Sequence, residues 1–179
     1  ASDLMIRYGR GFLPIIDADQ ILQSVVFKKD LDKHLKHPNE SIDSNKRLLA
    51  GAAISTHPED RERVVAVVER RADVLVIDAS DGHTQYQREM LEWIKSEFEI
   101  PVIAGNVVTA AGFEFLVAAG ADAVKVGMGI GSGCTTQEVK ATGRGQATAL
   151  MDVVASRQAK FQRDGEYIPL IADGGISGP

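Results

Sequence analysis

From Leu48 onward, short apolar runs alternate with longer stretches in which apolar side chains recur at helical spacing. The runs are Leu48 to Ile54, Val74 to Ala79, Val102 to Val107, Ala123 to Gly127 and Ile168 to Ala172. Rich in β-branched residues and nearly free of charge, they read as strands buried on both faces. Alternation with helical segments predicts βα units and a parallel sheet. The first helical segment opens at Pro58 with Glu59 and Asp60 beside it, where carboxylates meet the positive end of the helix dipole, and turns Val64, Val67 and Val68 inward. The second starts near Thr84 with Met90, Leu91 and Ile94 as its stripe; the third has Thr109 as cap, Phe113, Leu116 and Val117 as stripe, and Gly120 as stop. A fourth runs from Gln146 to about Arg163 and ends at Asp164-Gly165. Arg71-Ala-Asp-Val74 and Gly120-Ala-Asp-Ala-Val124 both turn helix into strand through Ala-Asp, a small internal echo of repeated βα units.

The first 45 residues differ. Gly11 to Gln20 and Ile21 to Phe27 predict two strands joined by a polar turn at Asp17 to Gln20, followed by a helical stub over Lys28 to Leu35. His37 to Lys46, rich in Pro, Asn, Ser and Asp, predicts a linker, so a domain boundary is expected there.

Composition narrows the function. Of 179 residues 44% are hydrophobic and 25% charged, with 17 Gly and 6 Pro, which suits a soluble chain that buries a core. A net charge of -5 argues against nucleic acid as the main partner, because backbone binding needs a basic face. One cysteine makes no internal disulfide, and no apolar run approaches the roughly 18 residues of a membrane span. The start, Ala-Ser-Asp-Leu-Met, lacks the pattern of a signal peptide, so a cytoplasmic protein is expected.

In a parallel α/β fold, ligands gather at the carboxyl ends of the strands. The residues found there are Ser55-Thr-His57, Ser80-Asp-Gly-His83, Gly105-Asn106, Gly127 to Thr136 and Asp173-Gly-Gly175. The densest is Gly127-Met-Gly-Ile-Gly-Ser-Gly-Cys-Thr-Thr136, whose alternating glycines free backbone amides for an anion or carbonyls for a cation. The loop fits neither the dinucleotide fingerprint nor a P-loop; the bland reading is a flexible turn. Cys134, the only thiol, is either an inert small hydrophobe or a nucleophile whose thiolate the loop amides stabilise. No histidine in that loop can serve as its base, while His57 and His83 stand at other strand ends and are either solvated or within reach. Asp78, Asp173 and Asn106 either order their loops or hold ligand hydroxyls, with the ligand reading ahead for Asp173 because two glycines follow it. Side-chain spacing for a metal site is absent.

Those motifs, together with Gly143-Arg-Gly-Gln-Ala-Thr-Ala149, Gly105-Asn-Val-Val-Thr109 and Ala172-Asp-Gly-Gly-Ile176, resemble the inosine-5'-monophosphate (IMP) dehydrogenase family in order and over nearly the whole chain. The resemblance implies a (β/α)8 TIM barrel, of which this chain holds the central portion: residues 48–179 as part of the barrel, 37–47 as linker and 1–36 as the C-terminal part of an inserted cystathionine-β-synthase-type (CBS) module. It implies oxidation of IMP to XMP with NAD in guanine nucleotide biosynthesis. Cys134 would attack purine C2, hydride would leave to NAD, and the thioimidate would be hydrolysed with Thr136 helping to position water. It further implies substrate contacts from Ser132, Asp173 and Gly175, cofactor contacts from Asp78, Ser80, Asn106, Gly127 and Gly129, and a potassium ion on the carbonyls of Gly129, Gly131 and Cys134. A homotetramer and purine nucleotides at the CBS module complete the implied partners.

Three features depart from the family pattern. Ser132-Gly-Cys134 stands where Ser-Ile-Cys is usual, and Asp78-Ala-Ser80 where Asp-Ser-Ser is usual. A barrel takes about 250 residues, so the flap with its Arg-Tyr pair and some strands are expected to lie outside this sequence, leaving the isolated segment inactive. The alternatives are GMP reductase, which reduces GMP to IMP with NADPH through the same loop cysteine, and a non-catalytic nucleotide-sensing fragment.

Overall fold

The computed structural model describes residues 2–176 and residue 178. The chain divides into two compact units, Ala1–Leu49 and Ala50–Pro179. In the first, helix α1 (Ser2–Arg7) precedes strands β1 (Phe12–Ile16) and β2 (Leu22–Phe27) and helix α2 (Lys28–Lys36). The strands form the expected antiparallel hairpin, with Phe12 opposite Phe27. Its turn is built by Asp17, whose Oδ1 accepts from the amides of Asp19 and Ile21 at 3.0 and 2.9 Å; those donors, Ile21 foremost, hold its carboxyl below the ordinary range. Residues 37–47 form an ordered loop: Asp43 accepts from the amides of Asn45 and Arg47, both at 2.8 Å, and Ile42 bridges Leu48. The division between units therefore falls after Leu49, and Leu48 belongs to this loop instead of opening a strand. Among the described residues, Met5 is the one buried apolar side chain of this unit.

The second unit is a five-stranded, all-parallel sheet of β3 (Gly51–Ile54), β4 (Val74–Asp78), β5 (Val102–Val107), β6 (Ala123–Val126) and β7 (Leu170–Ala172), hydrogen-bonded in that order. Strictly sequential order is the order of an arc of a (β/α)8 barrel; a doubly wound sheet would reverse at a switch point. Helices α3 (Asp60–Glu69), α4 (Gln85–Glu97), α5 (Ala110–Ala118) and α7 (Gln146–Asp164) connect successive strands, and a short helix, α6 (Thr136–Lys140), interrupts the glycine loop.

The expected punctuation is at work. Thr84 and Thr109 cap α4 and α5, accepting from the amides of Gln87 and Gly112 at 3.3 and 3.1 Å, and Gly165, at φ 73°, closes α7 in a left-handed turn. The Ala-Asp echo has a physical cause: Asp73 and Asp122 accept from the amides of Ala50 and Val102 at 2.8 and 2.7 Å, so each carboxylate pins the start of a neighbouring strand. Leu75, Ile77, Leu91, Ile94, Val102, Phe113, Leu116 and Val124 are wholly buried between sheet and helices. Ile168 is buried too, but β7 starts only at Leu170 because Pro169 has no amide to donate; its carbonyl still accepts from Val124 at 3.0 Å.

Candidate active site

The carboxyl ends of β4 to β7 open into one cleft of about 330 Å³. Cys134, Thr136, Asp173, Asp78, Ser80, Asn106, Gly127, Gly129 and Gly131 all line it, with Ala79, Met128, Ile130 and Gly174. Nine of the residues singled out from the sequence thus converge, although they come from four separate strand ends.

The floor of the cleft is a polar network. Lys125, from the middle of β6, reaches Asp78 Oδ1 at 2.9 Å and Asp173 Oδ2 at 3.2 Å. Asn106 Nδ2 donates to Asp173 Oδ2 at 2.8 Å and to the Gly127 carbonyl at 2.7 Å. Asn106 and Lys125 hold the Asp173 carboxyl below the ordinary range, Asn106 contributing most. The Lys125 ammonium is held above its usual value: burial opposes its charge, but the hydrogen bonds of Asp78 and Asp173 outweigh that. Lys125 was not among the residues read as functional, since it stands in an otherwise apolar run. A lone charge in the middle of a strand buried on both faces was the signal that could have found it.

The floor is packed backbone to backbone. The Gly105-Asn106 peptide is cis, and the ladder between β5 and β6 shifts register there. A Cβ on Gly105 would lie 2.5 Å from the Lys125 Cβ, and one on Gly127 would collide with the Asp173 carbonyl. Beneath Gly127, the buried Gln146 donates from Nε2 to the Val126 carbonyl at 2.7 Å. Its role in the site was not anticipated, nor was that of Arg144, which bonds the Val108 carbonyl at 2.9 Å and pairs with Asp152 at 2.6 Å.

Over this floor lies the glycine loop. Met128 and Arg144 bridge its two ends, and the Cys134 amide donates to the Gly131 carbonyl at 3.0 Å. Cys134 is exposed. The Thr136 hydroxyl first, then the Thr136 and Gly129 amides, donate toward its sulfur and hold the thiol below its usual pKa, while burial and the Asp173 charge work in the opposite direction. This is the environment of a nucleophilic cysteine. Gly133 has open space where a Cβ would be, so the departure from the family pattern at that position frees the backbone without filling or emptying any contact.

Other predicted residues stand elsewhere. Ser132 lies exposed on the loop and outside the cleft lining; Gly175, at φ 70°, packs against Ile130 and Gln146. His83 packs against Phe115 in a tilted contact with ring centroids 4.6 Å apart, and His57 donates its amide to Ser55 Oγ at 3.2 Å; neither lines the cleft. Among the described residues no cluster of three or more His, Cys, Asp or Glu could hold a metal ion. What the loop does offer a cation is backbone carbonyl oxygen, the donor chemistry of alkali ions.

The model of the IMP dehydrogenase / GMP reductase domain matches residues 11–179. The chain belongs to the IMP dehydrogenase / GMP reductase family. Similar family members include inosine-5'-monophosphate dehydrogenases of Tritrichomonas foetus, 51% identical over 92% of this chain and 33% of that protein, and of Toxoplasma gondii, 45% identical over 98% and 31%. Another, from Trypanosoma brucei brucei, is 40% identical over 98% of this chain and 33% of its own length. The chain therefore spans about a third of the curated relatives it matches. Among solved structures it resembles GMP reductase from Trypanosoma brucei in complex with guanosine 5'-triphosphate, with a TM-score of 0.83 and 35% identity over 98% of this chain and 41% of that one. Family members are oxidoreductases. No helix among the described residues is long and apolar enough to cross a membrane.

Proposed function

We propose that the full protein is an IMP dehydrogenase, oxidising IMP to XMP in guanine nucleotide synthesis. The carrying observation is the identity to dehydrogenases: that of Trypanosoma brucei brucei is 40% identical over 98% of this chain. Other dehydrogenases reach 51% and 45%.

The site's chemistry suits the reaction. The Cys134 sulfur, with Thr136 and Gly129 donating toward it, adds to C2 of the purine; hydride leaves C2; water then replaces sulfur at C2, releasing XMP and restoring the thiol. The whole converts IMP, NAD⁺ and water into XMP, NADH and a proton. NAD, when bound, supplies the hydride acceptor, and it fits the Asp78, Ser80 and Asn106 side of the cleft, where carboxylate, hydroxyl and amide suit ribose hydroxyls and a carboxamide. Asp173, braced by Asn106 and Lys125, holds the hydroxyls of the IMP ribose, while Ser132 and the Gly175 amide, both outside the cleft lining, take its phosphate. Thr136 positions the water. The carbonyls of Gly129, Gly131 and Cys134 hold potassium, although the Gly131 oxygen already accepts from the Cys134 amide and keeps one lone pair for the ion.

Residues 48–179 are read as part of a TIM barrel and residues 1–36 as the end of a CBS module that takes purine nucleotides, in a cytoplasmic homotetramer. That first unit favours neither activity, since the likeness to the reductase structures covers 98% of the chain. The reductase reading keeps one observation of its own: Ala79 lines the cleft where a serine is usual in dehydrogenases.

Assay of the full-length protein with IMP plus NAD is expected to give NADH and XMP, and Cys134→Ala to remove turnover by about 10⁴-fold or more. Production of IMP and ammonia from GMP plus NADPH, without XMP formation, moves the assignment to the reductase. From the 179 residues alone no sustained XMP is expected, because a five-stranded arc falls short of the eight strands that close a barrel around its site.

A further inference from the structure

Lys140 is the last residue of α6; the next residue, Ala141, takes a left-handed conformation at φ 54° and sends the chain back toward Gly143. The lysine side chain extends to the loop after β4, where its Nζ donates to Ser80 Oγ at 2.8 Å across 60 residues of sequence. Ser80 lines the cleft on the side read as the dinucleotide's. Among the described residues Lys140 forms no ion pair, whereas Lys125 sits between two carboxylates. Asp81 turns to its own loop, accepting from the His83 amide at 3.2 Å.

Charge explains why this matters. Asp78, Asp173 and Lys125 together leave the cleft with one net negative charge, which opposes entry of a phosphorylated ligand. Lys140, bonded to the cleft-lining Ser80, brings a cation that offsets it. An exposed ammonium bonded to a neutral hydroxyl adds little to stability, so the contact is a poor staple and an easily exchanged one. An ammonium paired with a hydroxyl is also a good set of donors for phosphate oxygen. We propose that Lys140 is a binding residue that, with Ser80, holds a phosphate group of the dinucleotide. This rests on the reading of the Ser80 side as the dinucleotide side, and it holds for a dehydrogenase or a reductase.

The test is calorimetric titration of NAD and of NADP into the full-length protein carrying Cys134→Ala, saturated with IMP so that ligands bind without turnover. Adding Lys140→Gln, which keeps a donor for Ser80 but removes the charge, is expected to weaken dinucleotide binding about threefold to tenfold and to flatten its dependence on salt. Lys140→Arg should keep affinity within about twofold, and IMP affinity should stay unchanged in both. Equal losses for NAD and NADP assign the pyrophosphate; a loss for NADP alone assigns the 2'-phosphate. Unchanged dinucleotide affinity in Lys140→Gln, or equal weakening of IMP, overturns the proposal for Lys140. Failure of the parent protein to bind either dinucleotide overturns the underlying assignment of function as well.

Discussion

The floor of the cleft and the loop above it are built on opposite terms. On the floor, Lys125, Asp173, Asn106 and Asp78 hold one another at 2.8 to 3.2 Å, and Gly105 and Gly127 have no room for a side chain. In the loop, Cys134 is exposed, α6 buries no residue, and Gly133 touches nothing where a side chain would stand. Glycine is used for closeness in one place and for freedom in the other. On the function proposed above, the difference separates two tasks: a rigid floor would hold the ribose in one place, while a loop that is to make and break a covalent bond would need to shift between steps.

Gly127→Ala attacks the floor and should have the largest effect, a loss of about 2 to 3 kcal/mol in urea unfolding, because its Cβ meets backbone rather than a movable side chain. Lys125→Met should follow at about 1 to 2 kcal/mol, since the lysine is mostly buried but both partners are partly exposed. That loss has a pH signature. The Asp173 carboxyl is depressed in the folded state, so the pairing is fully present above the ordinary carboxylate range of about pH 4 and is lost as pH falls through the depressed value. Wild type and variant should converge in stability on acidification; a constant gap down to pH 2 would contradict the pairing.

In the loop the expected effects concern reactivity. Thr136→Val removes the largest influence lowering the Cys134 pKa, so the thiol should rise toward its usual value and iodoacetamide labelling at neutral pH should slow about threefold to tenfold, with the pH midpoint moved upward. Peptide-resolved mass spectrometry reads both. Gly133→Ala should change stability by no more than about 0.5 kcal/mol, since the site is open and needs no positive φ. A loss as large as that of Gly127→Ala would erase the distinction between floor and loop.

Much of this was legible in the sequence wherever local chemistry decides structure. Thr84, Thr109, Gly120 and Gly165 mark helix ends through hydrogen bonds within a few residues, and the stripes of α4 and α5 follow from periodicity. Strand-end residues could be gathered into one site because parallel βα units place every carboxyl end on the same side. Features made by approach across the fold were not legible. Lys125 lies in an apolar run, and only the neighbouring Asp78 and Asp173 make its charge tolerable. Nothing local predicts that Lys140 reaches Ser80, that Gly105 must yield to β6, or that a helix turn forms inside a segment dense in glycine. The polar segment at 37–47 is organised by Asp43 into a compact loop, and the two units divide just after it, at Leu49.

The bridge between Met128 and Arg144 bears on how such a site evolves. With both ends of the loop clamped together, residues can be exchanged, inserted or deleted between them while β6 and α7 stay where they are. Doubling the length of a flexible loop adds only about 0.6 kcal/mol of closure entropy. The stretch that carries Cys134 is thus free to change in length with little cost to the sheet beneath.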